Sequence, residues 1–215
     1  MSKDYQTAAL VIGASNWGEA DKIVTFLTPQ HGQVRAMAFG CRRPRNHTAA
    51  AMQMFNLLEV TLSPGQKLDT VRRATLARSY RRIGENLDAM AYGAFIAELV
   101  RELMPEGEPA PREFELLEQI FAALEERNPR VTAVAAAWQF LRLAGLWPSW
   151  ADGQGISSAV KETINNLATL DFAGNDAVKF AKDDYMAAES MLLSYLRQVL
   201  EQPLKSLNFI RSLVK

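Results

Sequence analysis

The stretch Ile23-Val24-Thr25-Phe26-Leu27-Thr28-Pro29-Gln30-His31-Gly32-Gln33-Val34-Arg35-Ala36-Met37-Ala38-Phe39 decides the fold. It reads as strand, turn, strand. Residues 23–27 form an apolar run stopped by Thr28-Pro29, and Gln30-His31-Gly32 has the chemistry of a turn. Val34, Ala36 and Ala38 then alternate against Arg35 and Met37, the period of two expected of a strand with one buried face. On either side the pattern repeats. An apolar stretch over 7–12 is closed by Gly13, a fourth run over 55–62 ends at Ser63-Pro64-Gly65, and a fifth, less regular one covers 68–76. About five short strands with Gly/Pro punctuation predict a small barrel or sandwich. A basic surface on the same segment makes the five-stranded OB barrel the leading choice, although the pattern alone does not separate it from an SH3-like barrel.

After about residue 83 the period becomes helical. Leu87, Ala91, Phe95, Leu99 and Leu103 recur every four residues until Pro105 and Gly107. Further stripes follow: Phe114 to Leu124, beginning after Pro111; Val131, Val134, Trp138 and Leu141; Val160, Ile164 and Leu167; Tyr185, Ala188, Leu192, Tyr195 and Val199; and Leu207, Ile210 and Val214. Amphipathic helices bury one face, so these stripes are read as core. The predicted fold class is α+β with two domains: an N-terminal OB-type β-barrel over 1–82 that binds nucleic acid, and an all-α C-terminal domain over 83–215.

Charge divides at the same boundary. The chain has no formal net charge, yet residues 1–82 hold 12 Lys/Arg against 5 Asp/Glu, and residues 83–215 hold 12 against 19. A basic half points to a polyanion as partner. Its cations cluster in Arg42-Arg43-Pro44-Arg45, Arg72-Arg73 and Arg78 to Arg82. The candidate nucleic-acid-binding residues are Lys22, Arg35, Arg42, Arg43, Arg45, Arg72 and Arg73, with Trp17 and Phe39 as rings on which bases could stack. Phe39 is read first as a core residue. For Trp17, in the loop reading Ser15-Asn16-Trp17-Gly18, core and stacking weigh equally.

Several chemistries have no support. No apolar run approaches the roughly 20 residues that span a bilayer, and Met1-Ser2-Lys3-Asp4-Tyr5 leads straight into an alternating segment with no apolar signal block. A cytoplasmic, nucleoid-associated protein without a membrane partner is the expectation. Cys41 is the single cysteine, which excludes an internal disulfide and a four-cysteine zinc site. His31 and His47 fall in turns and are not read as ligands. No phosphate-cradling Gly-rich loop, His-Glu-x-x-His or Gly-x-Ser-x-Gly occurs. Glu19 and Asp21, beside Lys22, read as a turn acid and a surface ion pair rather than a metal site. No enzyme activity, metal or cofactor is expected.

The stretch Trp17-Gly18-Glu19-Ala20-Asp21-Lys22-Ile23-Val24-Thr25-Phe26-Leu27-Thr28 resembles the start of the bacterial recombination mediator family RecO. His31-Gly32, Ala38-Phe39-Gly40-Cys41-Arg42-Arg43-Pro44, Gln53-Met54-Phe55-Asn56-Leu57-Leu58, Ala97-Glu98-Leu99-Val100 and Pro203-Leu204-Lys205-Ser206-Leu207-Asn208-Phe209-Ile210 follow in the family's order. The resemblance implies an OB barrel followed by helices, and a role in recombinational DNA repair. It implies binding of single- and double-stranded DNA and annealing of complementary strands. It also implies cooperation with RecR in loading RecA onto DNA coated by single-strand-binding protein (SSB), with RecA an indirect partner. The zinc module that many members carry after Gly-Leu-x-Pro has no counterpart after Gly145-Leu146-Trp147-Pro148, where residues 149–158 contain no cysteine. Trp147 or Trp150 is expected to fill that space.

The resemblance further implies contact with the acidic C-terminal tail of SSB. Such a tail calls for an apolar pocket with a cation at its edge. Trp138, Arg142, Leu204, Lys205 and Leu207 are the candidates, on the condition that the closing helix packs on the third helical stripe. The alternative to a repair mediator is an OB-fold adaptor of transcription or translation that binds RNA or protein.

Overall fold

The computed structural model describes residues 3–43, 48–149, 156–174 and 179–213. Five strands, β1 (Tyr5–Trp17), β2 (Asp21–Thr28), β3 (Gly32–Ala38), β4 (Asn56–Ser63) and β5 (Asp69–Ser79), close a barrel in the order β1-β2-β3-β5-β4. All neighbours are antiparallel except β3 and β5, which run parallel and pair only at Ala36–Asp69 and Met37–Thr70. This is the OB connectivity.

Closure depends on β1, which pairs with β4 over Tyr5 to Leu10 and with β2 over Leu10 to Trp17. A strand serving two partners has to bend, and the bend is a β-bulge between Val11 and Gly13. Gly13 therefore does not end the strand, as its composition suggests; β1 runs on through Ser15 and Asn16. The barrel interior holds Ala9, Val11, Val24, Phe26, Ala36 and Leu58, and the short helix α1 (Thr48–Ala51) with the following Met52 adds Ala51 and Met52 to it.

Among the described residues, seven further helices follow: α2 (Arg81–Glu85), α3 (Leu87–Leu103), α4 (Pro111–Leu124), α5 (Pro129–Leu143), α6 (Ser158–Leu167), α7 (Lys182–Val199) and α8 (Lys205–Leu213). Their starts follow from local chemistry. The Asn86, Asn128 and Ser157 side chains accept N–H bonds at the first turns of α3, α5 and α6, and Pro111 and Pro129 occupy positions where a missing N–H costs nothing. The six long helices coincide with the six apolar stripes. The two helices of five residues or fewer, α1 and α2, are too short to display a period.

α3 is the hub, packing on α5, on α8 and against β1. Leu10, Ile12 and Leu27 of the barrel join Phe55, Tyr80 and the α3–α5 side chains in one apolar core. The closing helix thus rests on α3, which corrects the condition that it pack on the third stripe, now α5.

Candidate nucleic-acid interface

Alternation sets which side chains leave the barrel. Residues paired across strands share a face, so Gly13–Thr25–Arg35 and Ser15–Ile23–Met37 form rows on the outer face, while the buried Val24–Ala36 pair points inward. Trp17 pairs with Asp21, and one further step of the β2–β3 register sets Phe39 opposite Asp21. Both rings are open to solvent, Trp17 by 57% and Phe39 by 63%. This corrects two readings. Trp17 ends a strand instead of lying in a loop, and Phe39 is no core residue.

The loop after β3 is fastened to the β1–β2 turn. The Asp21 carboxylate accepts from the Gly40 N–H at 2.7 Å, the Arg42 N–H donates to the Ala20 carbonyl at 2.9 Å, and the Arg42 guanidinium donates to the Gly18 carbonyl at 3.2 Å. Asp21 is therefore a turn acid, as expected, but its role is to hold backbone; no ion pair with Lys22 forms among the described residues. The exposed Arg42 and Arg43 stand in this braced loop beside the Trp17–Asp21 end of the barrel. Arg45 lies outside the described residues. Cys41, just before Arg42, is buried, and burial pushes its thiol above the ordinary value.

The remaining cations separate. Arg35 shares the outward face with Met37 but lies toward the other end of β3. Lys22 pairs with Ala38 on the interior-facing row, opposite to that face. Arg73 is outward on the β4–β5 wall. Arg72 sits at a bulge in β5, donating to the Ser63 hydroxyl at 3.4 Å. The eight described candidates are thus distributed over more than one wall and do not form a single patch.

Ion pairing sorts the arginine clusters. Arg78 pairs with Glu125 at 3.7 Å and lies over the Tyr80 ring, Arg81 pairs with Glu85 at 2.7 Å, and Arg82 with Glu126 at 3.8 Å. These arginines are spent mainly on the acidic end of α4. Arg35, Arg42, Arg43, Arg72 and Arg73 form no ion pair among the described residues. Lys67, in the β4–β5 turn, joins them as an exposed cation that sequence reading overlooked. It is the lone cation in a Pro-Gly turn between two strands, which was the available signal. No group of three or more His, Cys, Asp or Glu is placed to hold a metal ion among the described residues, and no described helix is long and apolar enough to cross a membrane.

Two family descriptions match this architecture: "Recombination protein O N terminal" over residues 1–80, the barrel, and "Recombination protein O C terminal" over residues 84–153. The chain belongs to the RecO family. Among curated relatives, the DNA repair protein RecO of Symbiobacterium thermophilum is 36% identical over 156 residues, which is 72% of this chain and 62% of that protein. RecO of Pelotomaculum thermopropionicum is 34% identical over 68% of this chain and 57% of its own length. RecO of Bacillus velezensis is 34% identical over 65% and 55%. The matched stretch thus spans less than two thirds of these relatives.

Within the RecO helical part, the five tail-binding candidates do not converge. Trp138 is fully buried, edge-on to Trp147 at 5.8 Å, so it lines no open pocket. Trp147 packs on this core, and Trp150 lies outside the described residues. Arg142 is exposed, 5.7 Å over the Trp147 ring. Leu204, Lys205 and Leu207 belong to the α8 end of the molecule. There, Leu196, Leu200, Leu204 and Leu207 line an apolar cavity of about 110 Å³ that Arg197 and Arg211 also border.

Proposed function

We propose that this chain is a non-catalytic DNA-binding mediator of recombinational repair. The observation that carries the reading is the grouping of Trp17, Phe39, Arg42 and Arg43 at one end of an OB barrel, with rings exposed and cations unneutralised by the protein's own acids. Such a surface binds single strands through phosphate contacts and base stacking, without bond-making chemistry. Duplex DNA offers the same phosphates. Annealing follows physically: cations lower the repulsion between two strands while base edges stay free to pair. The barrel over 1–82 supplies this surface and the helices over 83–215 the partner contacts, with RecR and SSB as partners and RecA loading as the outcome. A cytoplasmic, nucleoid-associated location accompanies that role.

The cavity between α7 and α8 has the properties an acidic tail ending in an apolar residue and a carboxylate requires. Leu204 and Leu207 give the apolar wall, and Arg197 and Arg211 replace Arg142 and Lys205 as the edge cations. Annealing of two labelled complementary strands, bare and SSB-coated, tests the proposal. The chain should accelerate both reactions, and reversing the charge at Arg197 and Arg211 should abolish the effect on coated strands alone. A chain that binds RNA and fails to anneal DNA would overturn it in favour of an adaptor.

A further inference from the structure

We propose that a groove at the β4–β5 turn holds one nucleotide of the bound single strand, its phosphate against Arg35 and Lys67 and its base against His31. This rests on the DNA-binding reading and adds a second contact zone to it, toward the other end of the barrel from Trp17. The groove has a volume of about 490 Å³, and Lys3, Tyr5, His31, Gln33, Arg35 and Lys67 are among its lining residues.

Two separate chemistries meet there. Lys3, Arg35 and Lys67 are exposed and form no ion pair among the described residues, so they call for an anion. Of the two acids in the lining, Asp69 is already occupied: one oxygen accepts from the Tyr5 hydroxyl at 2.6 Å and the other from the Gly65 N–H at 3.0 Å. Glu106 stands on the wall formed by the α3–α4 connection, bridged to Gly32 and Gln33, rather than on the turn that carries Lys67. The second chemistry is a flat ring. His31 is backed by Tyr5, ring centroids 4.3 Å apart, and its backbone N–H is held by the Thr28 hydroxyl at 3.2 Å. A free phosphate would satisfy the cations but stack on nothing. A nucleotide supplies both, a phosphate for the cations and a ring face for His31.

The turn is built rigidly enough to serve. A side chain at Gly65 would place its Cβ 2.0 Å from the Leu68 carbonyl oxygen, so only glycine closes it, and Asp69 ties it to β1 through Tyr5. Along the outer face of β3, Arg35 and Phe39 lie four residues apart, about 13 Å. That spacing lets one strand touch both zones within a few nucleotides.

The test uses the full chain and thymidine dodecamers carrying 2-aminopurine at successive positions. At saturating protein one position near an end of the footprint should be quenched, and His31→Ala should restore its fluorescence while raising Kd by roughly fivefold. Lys67→Ala should weaken binding and lower the salt slope by about one. Binding with a position profile that neither substitution changes overturns the subsite and leaves the DNA-binding reading standing. Absence of any binding by the unaltered chain overturns both.

Discussion

The Arg101 guanidinium on α3 donates to the carbonyl of Ile12, the residue at which β1 and β2 lose register. A bulge leaves a backbone group outside the ladder, and here a helix supplies the missing donor. Gly13 makes the approach possible, since a Cβ there would lie 3.0 Å from the Arg101 Nη1. Burial lowers the guanidinium's pKa, with Glu98 and Glu102 opposing the shift. The bend that closes the barrel is therefore fixed from the helical half.

Arg101→Ala should destabilise the chain by about 1.5–3 kcal/mol, the cost of losing a charged hydrogen bond and stranding a carbonyl. Arg101→Lys should recover part of it, being a donor without the planar fork. Urea denaturation measures both. An unchanged midpoint in Arg101→Ala would mean that packing alone holds the bulge.

One turn earlier, Glu98 accepts from the N–H groups of Lys205 and Ser206 at 3.0 and 2.8 Å, capping α8 from a distance. Burial on its own would raise the carboxyl's pKa. The Ser206 and Lys205 donors, with Arg101 nearby, outweigh it and hold the group below its ordinary value of 4.5. A depressed folded pKa means the stabilisation is complete above that value and is lost as pH falls through the lower, folded one. Melting temperature should accordingly fall more steeply with acidification below pH 4.5 in the unaltered chain than in Glu98→Gln. At pH 7 the variant should be less stable by about 1 kcal/mol. Parallel pH profiles would remove Glu98 from this role.

The two sets of arginines should separate by experiment. Arg78→Ala removes an ion pair with the largely buried Glu125 and Arg82→Ala an exposed one with Glu126, so each should cost about 1 kcal/mol of stability, the former more than the latter, and leave the salt slope of DNA binding unaltered. A slope lowered as much as by changes in the loop after β3 would place these side chains on the DNA.

The buried thiol of Cys41 lies between Gly40 and Arg42, and burial raises its pKa. A thiol reagent at pH 8 should label it far more slowly in the folded chain than in urea. Rapid labelling of the folded chain would show that the loop opens.

Much of this was legible in the sequence. Period-two alternation over Val34, Ala36 and Ala38 located a barrel strand, and Pro111 and Asn128-Pro129 marked the starts of α4 and α5. The same alternation already placed Phe39 outside, with Arg35 and Met37; reading it as core gave hydrophobicity precedence over position. Gly13 misled because glycine usually ends a strand, whereas its function here is to admit Arg101 to the Ile12 carbonyl, a contact spanning 89 residues of sequence. Trp138 misled for a similar reason. The α5 helix is buried over most of its surface, so a tryptophan on it has no open face. Arg197 and Arg211 close the α7 and α8 helices, and only the folding of those two helices together brings them to one cavity.

The most direct test of the central claim is a salt series of single-stranded DNA binding by the unaltered chain and by the Arg42→Ala/Arg43→Ala double variant. The account predicts tight, steeply salt-dependent binding for the former. The double variant should bind more weakly at low salt, with a slope of log K against log salt reduced by up to about two ions. Identical affinity and slope in the two proteins would contradict it.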